Sequence, residues 1–266
     1  MKLRIINFKK FFILTTTLAV SVFTIGTAFS ASTDKYLIPD YDKINIEIHT
    51  NSSDNFYPKI FERYMKGDTT LTLENYHHLY YGYSFNEGYS PIEVNPMKDS
   101  LMFVMERNQD KNLISPEIFD DMEKVAIKSL AYNPFDISVL NMLTFINEMK
   151  GDVEKAMEYS HKVKMIKETI FASGSGFSRH NPYHVISRDE EEAIMASLGV
   201  EYVKRMYVSV NEEYFMFKNR YLGAKGIYFN IGRMWVAAPQ ERKKPDKRFE
   251  FNPYQNPKST RYVKPT

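Results

Sequence analysis

Two pairs of histidines come nearest in this sequence to a reactive site. His77 and His78 are adjacent in a tyrosine-rich segment, and His180 and His184 are four residues apart. A spacing of four on a helix places two imidazoles on one face, which is the arrangement of a helical zinc pair. With carboxylates nearby, the chemistry of either pair would be that of a hydrolase.

Both pairs also have a structural interpretation, which we favour. Adjacent residues on a helix point about 100° apart, so His77 and His78 do not easily bind one metal. Pro182 lies inside the second pair and disfavours a regular helix there. The carboxylates at 190–192 have the pattern of an acidic first helical turn. We therefore expect no metal and no cofactor, and we assign no catalytic residue.

Six side chains are candidates for binding a partner. They are His77, His78, Tyr80, Tyr81, Arg233 and Trp235. The first four would line a polar, aromatic groove, and the last two would form a platform on the final strand. The structural alternatives are an amphipathic helix with one packed and one solvated histidine, and a core tryptophan with the arginine as its cation–π or salt-bridge neighbour.

Composition and missing motifs exclude several classes of protein. The 266 residues are 43% hydrophobic and 26% charged, which is typical of a globular chain. The sequence has no cysteine, so it offers no disulfide, thiolate metal site or cysteine nucleophile. It contains no HExxH, GxSxG or P-loop motif, the signatures of common hydrolases and nucleotide-binding proteins.

The N-terminus is typical of an export signal. Four basic residues within the first ten precede an uncharged, mostly apolar stretch at 11–26, which is short for a membrane span. Ala28 and Ser30 then give the small-x-small pattern of a signal peptidase site. We expect residues 1–30 to be a cleaved signal peptide, with cleavage after Ala28 or an uncleaved anchor helix as the alternatives. The remaining chain is then periplasmic or extracellular, without a transmembrane segment.

Charge divides the exported chain into two parts. Residues 31–238 carry 23 basic and 30 acidic side chains, whereas residues 239–266 carry eight basic and three acidic ones. Affinity for nucleic acid comes mainly from neutralising phosphates, so the acidic body predicts no nucleic-acid partner. Five prolines interrupt the basic segment, and we expect residues 239–266 to be a disordered tail.

Helical spacing dominates residues 54–171, where the apolar residues predict about six helices. Thr72 is placed to cap one of them, and Ser115-Pro116 marks the start of another. Gly151 stands at the break between the last two.

Two segments that flank this region show other patterns. Ile44, Ile46 and Ile48 alternate with polar residues, which predicts that residues 31–53 are a linker that ends in a strand. The segment ASGSG at 172–176 predicts a flexible joint.

The last part of the body, residues 185–238, is predicted to be rich in sheet. Ser187 and Glu190 have the spacing of a capping box, which predicts a short helix. Three runs of period two follow, separated by turns, and they predict an antiparallel meander whose last strand reaches Trp235. The fold class is therefore α+β, with helices packed on a small C-terminal antiparallel sheet in one domain over 54–238. The alternative is two domains joined at the glycine-rich segment.

Residues 137–164 resemble one tetratricopeptide repeat. Leu140 and Leu143 lie in the first helix of the pattern, Gly151 at the turn, and Ala156 in the second helix, where a small residue lets the helices approach. A solenoid needs about three repeats. The resemblance therefore implies a helical hairpin and not an extended array.

A second resemblance covers about residues 54–238. It rests on LTLENYHHLYYGYSFNEGYSP at 71–91, on NPYHVI at 181–186 after ASGSG, and on GIYFNIGRMW at 226–235. These strings resemble a family of exported bacterial proteins that is classed only as a domain of unknown function. The resemblance implies export and a single domain, and it carries over no activity and no catalytic residue.

The sequence as a whole favours a non-enzymatic exported module that binds a peptide or protein partner in the cell envelope. The alternative is a hydrolase that uses histidine and carboxylates around His180 and His184 or around His77 and His78. Three ligand-type side chains that converge on one cleft would favour the enzyme. Scattered or packed histidines would favour binding.

Overall fold

The computed structural model describes residues 36–92, 95–108 and 116–236. The signal peptide expected at 1–30 and the tail expected at 239–266 lie outside these residues. The described helices, in chain order, are α1 Tyr41–His49, α2 Tyr57–Met65, α3 Leu73–Gly82, α4 Pro96–Asn108, α5 Pro116–Leu130, α6 Ile137–Lys150, α7 Val153–Ala172, α8 Arg188–Leu198 and α9 Gly232–Val236. The strands are β1 Tyr183–His184, β2 Tyr202–Ser209, β3 Glu212–Tyr221 and β4 Ala224–Asn230. None of the described helices has the length and apolar character needed to cross a membrane.

The fold class is α+β, as predicted, and six of the described helices lie between α2 and α7. Their ends follow local signals in the sequence. Thr72 caps α3 by accepting from the backbone N–H of Asn75, whose side chain accepts from the N–H of Thr72 in return. Gly151 ends α6 at φ +78°, a left-handed conformation that glycine adopts without strain, and Asp152 caps α7.

The strand predicted at the end of residues 31–53 is wrong, because this segment forms helix α1. Asp40 caps the helix by accepting from the N–H of Lys43. Ile44 and Ile48 are buried one turn apart, whereas Ile46 points outward and is 67% exposed. Isoleucines at positions i, i+2 and i+4 fit a strand, but the outer two also fit one face of a helix.

The sheet has four strands in the order β1-β4-β3-β2. The predicted antiparallel meander is confirmed for β2, β3 and β4. The sheet is nevertheless mixed and not purely antiparallel, because the short strand β1 pairs in parallel with β4.

The last strand is shorter than predicted and ends at Asn230. The Asn230 side chain accepts from the backbone N–H of Gly232 at 3.0 Å, which turns the chain into the short helix α9. Arg233 and Trp235 therefore lie on a helix and not on a strand. This corrects the predicted platform at the end of the sheet.

The glycine-rich segment after α7 is packed, which contradicts a flexible joint. A β-carbon on Gly174 would lie 2.2 Å from the carbonyl oxygen of Pro182, so the two backbones need glycine to approach this closely. The Gly176 carbonyl accepts from the backbone N–H of Tyr228 at 2.7 Å. The buried Ser173 hydroxyl accepts from the N–H of His184 at 2.9 Å. The segment thus fastens α7 to β1 and β4.

One hydrophobic core runs through the helices and the sheet, from Ile44 to Met234. Helix α3 lies at its centre, because every residue of Tyr76–Gly82 is buried. Tyrosines supply much of the packing, and their rings meet mostly edge to face, the arrangement that the ring quadrupole favours. Polar atoms on this buried part of α3 are therefore expected to have partners inside the protein.

Candidate functional site

The four candidate residues on α3 are all buried and do not line an open groove. Tyr80 and Tyr81 are fully buried, and each hydroxyl donates to another element. Tyr80 donates to Glu190 Oε2 at 3.0 Å, and Tyr81 to the carbonyl oxygen of His184 at 3.1 Å. The His77 ring lies 3.2 Å from the carbonyl oxygen of Leu37, and burial lowers the pKa of His77 to about 4. The sequence did not predict that the part of this helix from Tyr76 to Gly82 is enclosed on all sides.

The second histidine pair does not converge on a site. His180 is exposed, whereas His184 belongs to the extended strand β1 and burial lowers its pKa to about 4. Residues four apart on a helix share a face, but the backbone here is not helical. Neither histidine belongs to a group of three metal-ligand side chains among the described residues.

Arg233 and Trp235 are separated in role. The Arg233 guanidinium lies 3.9 Å from the ring centre of Phe85 and 4.7 Å from that of Tyr41. It also donates to Ser84 Oγ at 2.7 Å. A cation–π interaction was predicted here, but its aromatic partners are Tyr41 and Phe85, because Trp235 is 40% exposed and not part of the core. Arg233 thus holds α9 against α1 and against the short 3-10 turn Tyr83–Phe85 that follows α3.

Glu190 is a fully buried carboxyl group that contacts a tyrosine of α3. It accepts from the Tyr80 hydroxyl at 3.0 Å, from Asn133 Nδ2 at 3.2 Å and from the backbone N–H of Ser187 at 2.6 Å. The last contact is the predicted capping interaction of α8. Burial raises the pKa of Glu190 to about 8, although the three hydrogen bonds act in the opposite direction. Both carboxyl oxygens thus have partners within the chain.

A second group of buried charges binds α8 to the sheet. Glu191 and Glu213 are both fully buried, and Arg205 on β2 contacts both carboxylates. Arg188 adds a contact of 3.3 Å to Glu213. Burial raises the pKa of Glu191 to about 8, and Arg205 opposes that rise. The acidic run does begin a helix, whose first turn holds Asp189, Glu190 and Glu191, but the carboxylates of Glu190 and Glu191 face the interior.

Strand β2 is the outer strand of the sheet on the side away from β1. Within the described ranges no strand pairs with its outer edge. Val203 is 62% exposed and Tyr207 is 56% exposed. The pairing of β2 with β3 has register shifts at 202–204 and 207–209. Such irregularities are common in strands at the edge of a sheet. Strand β2 therefore presents an open backbone edge in the described structure.

His78 meets two carboxylates that the sequence analysis did not connect with it. The ligand atoms of Glu47, Glu74 and His78 all lie within 4.8 Å of one another. Glu74 and His78 are four residues apart on α3, and this spacing was the available signal. The sequence does not predict that Glu47 lies beside His78, because its segment is predicted to be a strand and not the helix α1.

With the fold and these clusters established, the chain can be placed in a class of proteins. The family model for the domain of unknown function DUF4919 matches residues 42–238. The chain therefore belongs to this family, as the strings at 71–91 and 226–235 predicted. No curated protein matches the chain, and no solved structure does.

Proposed function

We propose that this protein is an exported, non-enzymatic module that binds an extended segment of a protein partner along strand β2. The observation that carries the proposal is the open outer edge of this eight-residue strand. An unpaired edge presents a row of backbone N–H and C=O groups, and an extended peptide pairs with them by strand addition. Val203 and Tyr207 would contact alternate side chains of that peptide.

The edge is held rigidly from behind, which favours binding. Arg205 joins β2 to Glu191 on α8 and to Glu213 on β3. A strand that is already fixed in its bound conformation loses little conformational entropy when a partner adds to it. The buried ion cluster therefore supports an edge that is prepared for pairing.

The location that we propose is the cell envelope. The support is the signal-peptide pattern at 1–30, and the described helices offer no membrane span that would conflict with it. The acidic body at 31–238 is unsuited to nucleic acid, so we propose a protein partner.

The tetratricopeptide-like segment is proposed as a structural element and not as the docking surface. Helices α6 and α7 form an antiparallel hairpin, and α4 and α5 pack in sequence beside it. A single hairpin does not make the concave groove of a repeat array, which needs about three repeats. Val153 and Met157 are exposed on α7, so the hairpin offers a comparison surface for the edge of β2.

Site-specific photocrosslinking in the native host tests the edge. A photoreactive amino acid replaces Val203 in one strain and Val153 in another, because both valines are similarly exposed, at 62% and 65%. We expect one dominant crosslinked protein from position 203, with the attachment site in an extended segment of that protein. Equal crosslinking from both positions, or none from position 203, contradicts the proposal.

The hydrolase remains the second candidate because of one observation, the meeting of His78 with Glu47 and Glu74. Histidine and carboxylate ligands with an open position can activate a metal-bound water. The test is a screen of chromogenic esters, phosphoesters and peptides with zinc present, using the wild type and Glu74→Gln. Turnover that is lost in Glu74→Gln supports the hydrolase, and turnover in neither chain removes it.

A further inference from the structure

Two helices bring three metal-ligand side chains together at one side of the core. Glu74 and His78 lie one turn apart on α3, and Glu47 comes from the facing side of α1. Their ligand atoms are within 4.8 Å of one another. Glu74 is exposed, so its side chain can rotate to close the remaining distance, whereas His78 is held in the interior.

The tautomer of His78 follows from its backbone contact. His78 Nδ1 lies 2.9 Å from the carbonyl oxygen of Glu74. A carbonyl oxygen only accepts, so Nδ1 must carry the hydrogen and donate it. In the neutral ring Nε2 then has a lone pair and no hydrogen. A backbone carbonyl that orients an imidazole in this way is common behind metal-bound histidines.

The Nε2 atom of His78 is buried and makes no hydrogen bond. The His78 side chain is only 5% exposed, and its Nε2 lies 2.7 Å from Glu47 Oε2. A lone pair and a carboxylate oxygen repel at this distance unless a positive charge lies between them. An unsatisfied buried nitrogen costs about 1–3 kcal/mol, so a native structure seldom keeps one without a purpose.

We propose that Glu47, Glu74 and His78 bind one divalent transition-metal ion, for which Zn²⁺ is the best fit. Imidazole nitrogen and carboxylate oxygen are both zinc ligands, at about 2.0–2.2 Å. Three protein ligands leave a position open on the exposed side, next to Glu74. The ion supplies a positive charge shared by the Nε2 lone pair of His78 and the facing Oε2 atom of Glu47. This site is independent of the edge of β2, and it departs from our expectation of no metal, which did not consider Glu47 and Glu74.

Groups around the three ligands hold Glu47 in place. Asn55 Nδ2 lies 3.4 Å from Glu47 Oε2 and donates to it, and Asn75 Nδ2 donates to Asn55 Oδ1 at 2.9 Å. Asn75 is itself fixed by the capping box of α3. This chain of amides ties the carboxylate of α1 to the start of α3, which is the kind of support that orients metal ligands.

The competing interpretation is a plain ion pair between a protonated His78 and Glu47, which also has Lys43 3.7 Å from its other oxygen. An ion pair of this kind does not involve Glu74. A metal site does, because removal of one of three ligands weakens the binding of the ion. Glu74 therefore separates the two interpretations, and since it is exposed, its replacement leaves the fold intact.

Calorimetric titration with zinc sulfate tests the site. The chain is residues 31–266 without a polyhistidine tag, treated with a chelator and then dialysed. We expect one zinc ion per chain, together with a rise in melting temperature on zinc addition. Glu74→Gln weakens zinc binding by at least about tenfold, in line with losses that follow changes around metal sites. His180→Ala, which removes an exposed histidine elsewhere, leaves it unchanged.

His78→Ala abolishes the zinc-dependent rise in melting temperature, and if that variant fails to fold, Glu74→Gln decides the matter alone. The proposal is overturned if the wild type binds no zinc. It is also overturned if Glu74→Gln binds zinc as tightly as the wild type, or if His180→Ala is the variant that loses it.

Discussion

Glu190 and His78 are both ionisable side chains in the interior, but they differ in how completely their hydrogen bonds are satisfied. Glu190 has three donors from three elements, and each of its oxygens is satisfied. His78 has one satisfied nitrogen and one that faces a carboxylate without a hydrogen bond. Both groups depend on α3, since Tyr80 and His78 lie on the same helix.

The difference separates a structural polar centre from a ligand site. A buried group whose hydrogen bonds are complete stabilises one conformation, and it leaves nothing for an outside molecule to satisfy. A buried group that is left incomplete beside an exposed carboxylate can be completed by a ligand. We therefore assign a structural role to Glu190 and propose a ligand-binding role for His78.

The largest expected effect is on the structural centre. Glu190→Ala leaves the Tyr80 hydroxyl, the Asn133 amide and the Ser187 N–H without their acceptor and opens a cavity. We expect a loss of about 3–5 kcal/mol in the free energy of unfolding, measured by urea denaturation.

Glu192→Ala is the matched control, because this neighbouring carboxylate is 49% exposed. It should cost less than about 1 kcal/mol, as exposed ion pairs usually do. If Glu190→Ala were no more destabilising than Glu192→Ala, the assignment of Glu190 to the fold would be wrong.

The next effect concerns pH. Burial raises the pKa of Glu190 from 4.5 to about 8, so the folded state holds a proton that the unfolded state releases. Its contribution to stability is complete below pH 4.5 and is lost as pH rises through 8. Between pH 6.5 and 8 this one group should lower the stability by about 2 kcal/mol, at about 1.4 kcal/mol per pH unit. Denaturation at several pH values measures it.

The window matters because two histidines act in the opposite direction at lower pH. Burial lowers the pKa of His77 and of His184 to about 4. Below pH 6.5 these histidines therefore bind protons in the unfolded state but not in the folded state, and stability falls as the pH is lowered. Above pH 6.5 Glu190 and Glu191 dominate, since both have a pKa of about 8. Glu190→Gln should therefore halve the slope between pH 6.5 and 8. An unchanged slope would show that Glu190 does not titrate in this range.

The smallest expected effect is on the other centre. Without metal, Glu74→Gln should change the free energy of unfolding by less than about 1 kcal/mol. Glu74 is exposed, and its carboxylate interacts chiefly with the positive, N-terminal end of the α3 helix dipole. Thermal melts in the presence of a chelator measure this. A loss of several kcal/mol without metal would place Glu74 in the fold and remove the contrast with Glu190.

Local signals in the sequence predicted the parts of the fold that local physics decides. The cap at Thr72, the turn at Gly151 and the start of α8 after Ser187 each depend on residues within one helical turn. The α1 segment is predicted as a strand because alternate isoleucines satisfy two periods at once, whereas the Asp40 cap and packing against α3 make it a helix. The end of β4 was missed because the Asn230 side chain redirects the chain at Gly232.

The polar centres were beyond the sequence because their members are far apart in the chain. Glu190 meets Tyr80 across 110 positions. Its place in an acidic run, 190–192, predicts an exposed helix start, and only the surrounding tyrosines make the site interior. Glu74 and His78 could have been paired from their spacing, whereas Glu47 depended on recognising α1 as a helix.

The most direct test of the proposed metal site is a nitrogen-15 spectrum of the His78 imidazole, recorded before and after the addition of one equivalent of zinc. We expect Nδ1 to stay protonated, because it donates to the carbonyl oxygen of Glu74. We expect the Nε2 resonance to shift when zinc binds. The same spectrum should show the His180 ring unchanged. A His78 ring that is protonated on both nitrogens and does not respond to zinc would contradict the metal site and leave an ion pair with Glu47 in its place.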